Sequence, residues 1–387
     1  MNPSAPPRAP DRGARWMAWL APLADAVVPL TLFRGITARD GHPATMLVAG
    51  PERRVRWLVD RYFAAEPARE RLGHVPAWRL ARTLKRMKSA ADVTVVRVSR
   101  VTADRLGVGL DYLPVPDWIG MRIDAPFDLA AIARRSHSVA DDMRRARRAG
   151  WVAEVSHRVA DFTSFYRDMY VPFVRARHRT EGLVRPARRL RRVFRRGGIL
   201  WVGSDRMRVA GAIVAPIGDV LELVAIGTAG GDLGWRKAGA LGAVYAAMIE
   251  HARSEGCSVI DLHGSRPSLE DGLTRYKRKW GASVYDRADV PTTTLVRWDR
   301  MSPAVVEFLS SSPLLFRDGG GLSALAVCDD GDNPTRTCER LQLPGLSRMI
   351  VLTKTPGPRP AASGTCVPLP FADVESGPRA LIAPGND

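Results

Sequence analysis

The chain is short of cysteine, of acidic residues and of long apolar runs, and each shortage excludes something. Four cysteines in 387 residues (Cys257, Cys328, Cys338, Cys366) are too few and too irregularly spaced for a disulfide scaffold or a zinc site. A reducing compartment is the simplest reading. Only 40 acidic residues stand against 58 Lys and Arg, a net charge of +18. That surplus attracts polyanions such as nucleic acid, phosphorylated metabolites or anionic lipid, without choosing among them. The one apolar candidate, residues 16–33, is broken by Pro22, Asp25 and Pro29, so it falls short of the roughly 20 mostly apolar residues of a spanning helix. Ala24-Asp25-Ala26 imitates a signal-peptide cleavage site, but the apolar core before it ends at Pro22. The chain is therefore expected to be cytoplasmic, with peripheral membrane contact through this segment as the alternative to packing. Collagen periods and heptad arrays are absent as well.

What is present is ordinary globular composition, 45% hydrophobic and 25% charged. At about 100–200 residues per domain, the length suggests two or three domains. Residues 1–39 are expected to be a flexible segment. Over 40–137, strand-like runs (44–49 and 92–99) alternate with basic helical patterns at 53–65 and 78–88. A second α/β unit is expected over 138–317. It opens with a helix carrying Phe162, Phe165, Tyr166, Met169, Tyr170 and Phe173 at core spacing. A strand hairpin over 199–216, a strand at 220–227, a helix over 235–254 and a strand at 257–262 follow. Ser268 and Asp271 match a capping box that starts a helix running to Trp280. From 318 to 387 the pattern decays, and the last 32 residues hold seven Pro and four Gly, a composition that predicts an irregular tail. The acidic stretch 328–333 lacks the ligand spacing of a calcium loop and reads as a solvated turn. No metal is predicted.

The chemistry concentrates in two places. In the first, Gly230, Gly231 and Gly234 precede a helix whose first turn carries Arg236 and Lys237, with Gly239 three residues on from Arg236. Small residues let backbone amides approach an anion, and a helix start adds partial positive charge, so a cofactor pyrophosphate is one guest; a tight strand–helix connection is the other reading. In the second, Asp261 and His263 end a buried strand, and either could deprotonate an attacking amine. Lys277 lies about 40° from Leu273 on the helical wheel, at the edge of the stripe Leu269, Leu273, Tyr276 and Trp280, with Arg275, Arg278 and Lys279 more solvated. That position suits either a cation beside an oxyanion or a lysine stem that covers apolar surface. Arg144, Arg145, Arg147 and Arg148 form one basic cluster, and residues 185–196 hold seven Arg in twelve positions. An anionic carrier would suit both, although neither cluster interleaves aromatic residues for stacking bases.

The order of helix, hairpin, strand, Gly-rich loop, helix, strand, helix and strand resembles the GNAT (Gcn5-related N-acetyltransferase) superfamily. Arg236, Gly239 and Leu241 occupy the positions of that family's Arg/Gln-x-x-Gly-x-Gly/Ala pyrophosphate motif, with Leu241 replacing the last small residue. The segments Asp261-Leu-His-Gly264-Ser-Arg-Pro267 and Asp271-Gly272-Leu-Thr-Arg-Tyr276-Lys277-Arg-Lys-Trp280-Gly281 resemble the Fem-like branch, which includes peptidoglycan-bridge aminoacyltransferases and acetyltransferase-like proteins of polysaccharide clusters. The resemblance implies an α/β (α+β) fold with a mixed central sheet flanked by helices, as a tandem of two GNAT-like subdomains, residues 40–137 being a degenerate first copy. It implies N-acyl transfer from acyl-CoA, acetyl-CoA first of all, or from an aminoacyl-tRNA, to an amine of a small or carrier-linked anionic acceptor such as a cell-envelope precursor. Transition-state stabilisation falls on Lys277. The rival expectation is a non-catalytic polyanion-binding protein on the same fold.

Overall fold

The computed structural model describes residues 25–105, 111–177, 184–204, 207–319, 321–329, 331–354 and 366–382. The chain forms two compact units, one from Met1–Ile119, Ser265–Thr274 and Val284–Asp387, the other from Gly120–Gly264 and Arg275–Ser283.

In the first unit a six-stranded sheet runs in the order Ala68–Pro76, Val27–Ile36, Pro43–Ala49, Val93–Ser99, Thr292–Arg297, Leu113–Pro116. Its one parallel contact joins Pro43–Ala49 to Val93–Ser99. Strand Val93–Ser99 shows why a continuous apolar run was needed there. Val93 and Val95 join a core with Val55, Leu58 and Tyr62 of the helix Glu52–Tyr62. Val96 and Val98 face a separate core with Leu80 and Leu84 of the helix Ala77–Arg86. Both faces are covered, so the period-2 alternation of a half-buried strand disappears.

The same unit corrects several expectations. Residues 318–354 are ordered: Leu314–Asp318, Gly321–Val327, Leu346–Thr353 and Cys366–Pro370 make a four-stranded sheet in that order. The prolines and glycines that suggested a tail from 318 onward are concentrated instead in 355–365 and 383–387, which lie outside the described residues, and the apolar runs before them bury Ala324, Ala326, Val351 and Leu352 completely. Around the acidic turn, Asn333 caps the helix Pro334–Leu341, its side chain accepting from Thr335 N–H. The expected division at 137/138 and the expected end at 317 also move. Strand Thr292–Arg297 is inserted between two strands of the first unit, and that unit takes the residues around it. The expected flexible segment 1–39 is ordered from Val27, while 1–24 lie outside the described residues.

The second unit has the arrangement expected of the GNAT-like part. Its sheet runs Ile119–Asp124, Val259–Ser265, Val220–Thr228, Met207–Ile217, Gly198–Ser204, Val152–Ser156. The hairpin is antiparallel from Gly198 with Val214 to Ser204 with Met207, its tip 205–206 lying outside the described residues. Strands Val220–Thr228 and Val259–Ser265 are parallel, joined by the crossover helix Ala240–Ser254. The aromatic stripe sits on residues 159–177, where a π-turn at Phe165–Tyr170 is flanked by α-helix. Phe162, Phe165, Met169 and Phe173 are buried, as core spacing predicted. No helix among the described residues is long and apolar enough to cross a membrane.

Candidate functional site

The site is built where two parallel strands part. Their register runs Val220–Val259, Leu221–Ile260 and Glu222–Asp261, and goes no further among the described residues. Val220–Thr228 keeps its antiparallel partner out to Thr228 opposite Ala210, with a bulge between Leu223 and Ala225. From Leu223 onward one edge of that strand therefore has no neighbour, and the same holds for the residues following Asp261. Bulges re-aim backbone groups, and here the Val224 carbonyl accepts from Arg185 Nη1 at 2.8 Å. The Arg185 backbone is tied in turn to Tyr170 and Tyr166, each at 3.1 Å.

Asp261, His263 and Lys277 meet in this gap. Lys277 Nζ donates to the His263 carbonyl and to the Gly264 carbonyl, both at 3.0 Å. His263 N–H donates to Asp261 Oδ1 at 2.7 Å, and His263 takes a left-handed backbone, φ 56°. A non-glycine residue in that region is strained, and such strain gathers at functional sites. The side chains of Asp261 and His263 are half-buried. Lys277, however, is only 3% exposed. That is deeper than the partial burial implied by its place at the edge of the apolar stripe, and the ammonium is held by the two backbone carbonyls it satisfies.

Its neighbour Lys279 is not a solvated bystander either. Lys279 Nζ pairs with Asp142 at 2.6 Å, reaches Ser138 Oγ at 3.2 Å and lies 4.4 Å above the Tyr276 ring. Tyr276 packs edge-on to Tyr245, with centroids 5.1 Å apart. Burial, then the charge of neighbouring groups, holds the Tyr276 phenol well above its ordinary range. The helix starts at Gly272, later than the expected capping box would place it: Asp271 rather than Ser268 is the cap, its Oδ2 accepting from the Leu273 and Thr274 N–H groups.

The glycine-rich loop is less of a cradle than its composition suggested. Gly231 is buried, and a Cβ there would stand 2.5 Å from the Pro172 backbone, so this glycine exists for close packing on the helix Val171–Arg177. The Gly234 amide is already taken by the Asp232 carboxylate at 2.7 Å. Gly230 is exposed in a left-handed turn, and Arg236 and Lys237 are exposed. Gly239 breaks the expected single helix in two with φ 94° and caps Ala240–Ser254. That second helix has no acidic residue in its first turn. One carboxylate reaches it from elsewhere: a Cβ on Gly242 would lie 3.1 Å from Asp142 Oδ2. Arg145, on the same helix as Asp142, donates to the Lys237 carbonyl at 2.8 Å.

The sequence motifs drew attention to residues of both stretches and missed what lies between them. Asp142 had no signal, being one acid among the arginines of His137–Arg148. Arg185 was noticed only as one member of a cluster. The rest of that cluster is the exposed helix Ala187–Phe194, where Arg188, Arg191, Arg192 and Arg195 line a groove of about 420 Å³.

No family model matches the chain, and neither does any curated protein. Among solved structures it is similar to FemX, at 10% identity over 72% of this chain and 90% of that one, TM-score 0.35. It is also similar to L-PGS from Bacillus licheniformis, at 12% identity over 72% and 88%, TM-score 0.35. A third is a GCN5-related N-acetyltransferase from Sphaerobacter thermophilus, at 15% identity over 67% and 78%, TM-score 0.33.

Proposed function

We propose that the chain is an acyltransferase of the GNAT type, in its Fem-like branch, which passes an acyl or aminoacyl group to an amine of an anionic acceptor such as a cell-envelope precursor. One observation carries the reading: the parallel ladder stops at Glu222 and Asp261 while both strands continue. An exposed strand edge pairs with an extended ligand that bears its own amides. The pantetheine arm of acyl-CoA is such a ligand, and lying along Leu223–Thr228 it would bring its thioester toward the Lys277 end of the gap. The donor phosphates would meet Arg236, Lys237 and the amides that open Ala240–Ser254, beside Gly239. Gly230, Gly231 and Gly234 would then shape the approach rather than bind the phosphates. Lys277, through its charge, would stabilise the developing oxyanion. Asp261 or His263 would take the amine proton. The first unit, which has a parallel crossover of its own, is read as the degenerate first copy. The place of action is read as the cytoplasm, with peripheral membrane contact.

A second reading is also supported by specific observations. Asp232 and Asp142 put carboxylates at the two helix starts where donor phosphates would bind, and the groove on Ala187–Phe194 is basic. Together they favour a non-catalytic polyanion-binding protein. The test offers acetyl-CoA, other CoA thioesters and aminoacyl-tRNA to the full chain, with amine acceptors. Transfer that survives RNase selects CoA, and transfer abolished by RNase selects tRNA. Binding with no transfer from any donor removes the enzyme reading.

A further inference from the structure

The first unit holds a cluster of ionisable groups that acyl transfer does not use. A carboxylate oxygen of Asp40, a ring nitrogen of His42 and a carboxylate oxygen of Glu307 all lie within 4.8 Å of one another. Asp40 and His42 belong to the turn between strands Val27–Ile36 and Pro43–Ala49. That turn is held from within: His42 N–H donates to Thr37 Oγ1, and Thr37 N–H to the His42 carbonyl, both at 2.9 Å. Glu307 comes from the helix Pro303–Ser311 and is 3% exposed.

The two oxygens of Glu307 are treated differently. Oε1 accepts from the Arg39 backbone N–H. Oε2 is buried with no hydrogen-bond donor among the described residues. A buried carboxyl oxygen left unmatched is costly, so native structures rarely keep one without a reason. The Arg39 guanidinium, on the same turn, does not fill the gap; it is turned to Asp329 at 2.9 Å.

We propose that Asp40, His42 and Glu307 bind a divalent transition-metal ion, with zinc the class their chemistry suits. One imidazole and two carboxylates are a three-ligand zinc set that leaves a fourth position for water. The imidazole argues against calcium and magnesium, which prefer oxygen throughout. Donors held at about 2.0–2.2 Å from one ion lie closer to each other than the present 4.8 Å limit. Asp40 is exposed, so its side chain can close onto the other two. The ion would supply Glu307 Oε2 with its missing partner and fasten the Thr37–His42 turn to the Pro303–Ser311 helix. Its role is structural, and its test needs no activity.

The experiment uses the full chain, free of any affinity tag and stripped with chelator, with Zn²⁺ as the probe. Equilibrium dialysis should retain one ion per chain, and saturating Zn²⁺ should raise Tm by roughly 2–4 °C. Asp40→Asn and Glu307→Gln should each weaken binding at least tenfold. Asp40 is exposed, so its variant keeps the proposal testable even if the Glu307 variant unfolds. Co²⁺ should give visible bands without the near-ultraviolet band of thiolate ligation. No retained ion overturns the proposal, as does binding that Asp40→Asn leaves unchanged. A thiolate band also overturns it, because it would move the ion to Cys338, whose thiol is pushed up by burial and then by the neighbouring Cys366.

Discussion

Both units contain a parallel strand pair whose first strand leads into a helix, yet one pair is closed and the other open. In the first unit, Ala49 is paired on both sides, with Leu30 and with Val96, to the last residue of its strand. The chain turns at Gly50 and Pro51 and enters its helix at once, with Glu52 in the first turn. Glu52 Oε1 accepts from Thr31 Oγ1 and from Arg69, each at 2.7 Å. The helix start carries its own anion. In the second unit, pairing stops three residues into the strand, the connection is long, and the crossover helix has no acid of its own. The same topology becomes structural filler in one case and a candidate binding cleft in the other, and the length of the ladder decides which.

The largest expected effect is at the open pair. Lys277→Met removes a buried donor from two carbonyls at once and should cost about 3–4 kcal/mol in chemical denaturation. A loss under about 1 kcal/mol would mean that water replaces the ammonium and that the gap is wetter than its burial indicates. With folded protein normalised, turnover in the transfer assay should fall about 10²-fold if the charge acts in the transition state.

Next come the glycines before each helix. A Cβ on Gly50 would stand 2.4 Å from the Arg97 carbonyl oxygen, and its φ is 121°. Gly50→Ala should cost about 2–3 kcal/mol. On Gly239, where the nearest atom is Asp142 O at 3.1 Å, the same change should cost about 1–2 kcal/mol. Thermal melts of both variants would measure the difference, and equal losses would erase the contrast between a packed turn and a looser one.

Smaller still is the effect of the anions. Glu52→Ala should lose about 1 kcal/mol, from the Thr31 bond and the helix start together. Asp142→Asn should cost about the same, since the amide oxygen can still accept from Lys279 in this mostly buried pair. Its informative readout is binding: calorimetric titration with acetyl-CoA should show several-fold tighter association once the carboxylate leaves the start of Ala240–Ser254. Unchanged affinity would place the donor phosphates elsewhere.

The legible parts of the molecule were those governed by local rules. The 162–173 stripe, the hairpin and the crossover helix follow from spacing, which residues impose on their near neighbours. The fate of Lys277 could not be read that way. Its wheel position is at the stripe edge, but the carbonyls that pull it inward belong to His263 and Gly264, on a strand distant from it in the local pattern. Gly231 misled for the same reason: a glycine that admits Pro172 and one that admits a phosphate are spelled identically. The ordered residues 318–354 were hidden by proline and glycine counts taken over a window that mixed a sheet with the segments following it.

The first unit's sheet is also a matter of timing. Thr292–Arg297 lies between Val93–Ser99 and Leu113–Pro116. Until the ribosome has delivered it, both flanking strands are bare edges rich in valine and leucine. At about 5–20 residues per second, the intervening chain takes on the order of tens of seconds to emerge. Through that interval the early segment resembles an aggregation template, held in check mainly by its charge. The arginines and lysines along residues 52–88 would then serve nascent solubility before they serve any finished surface.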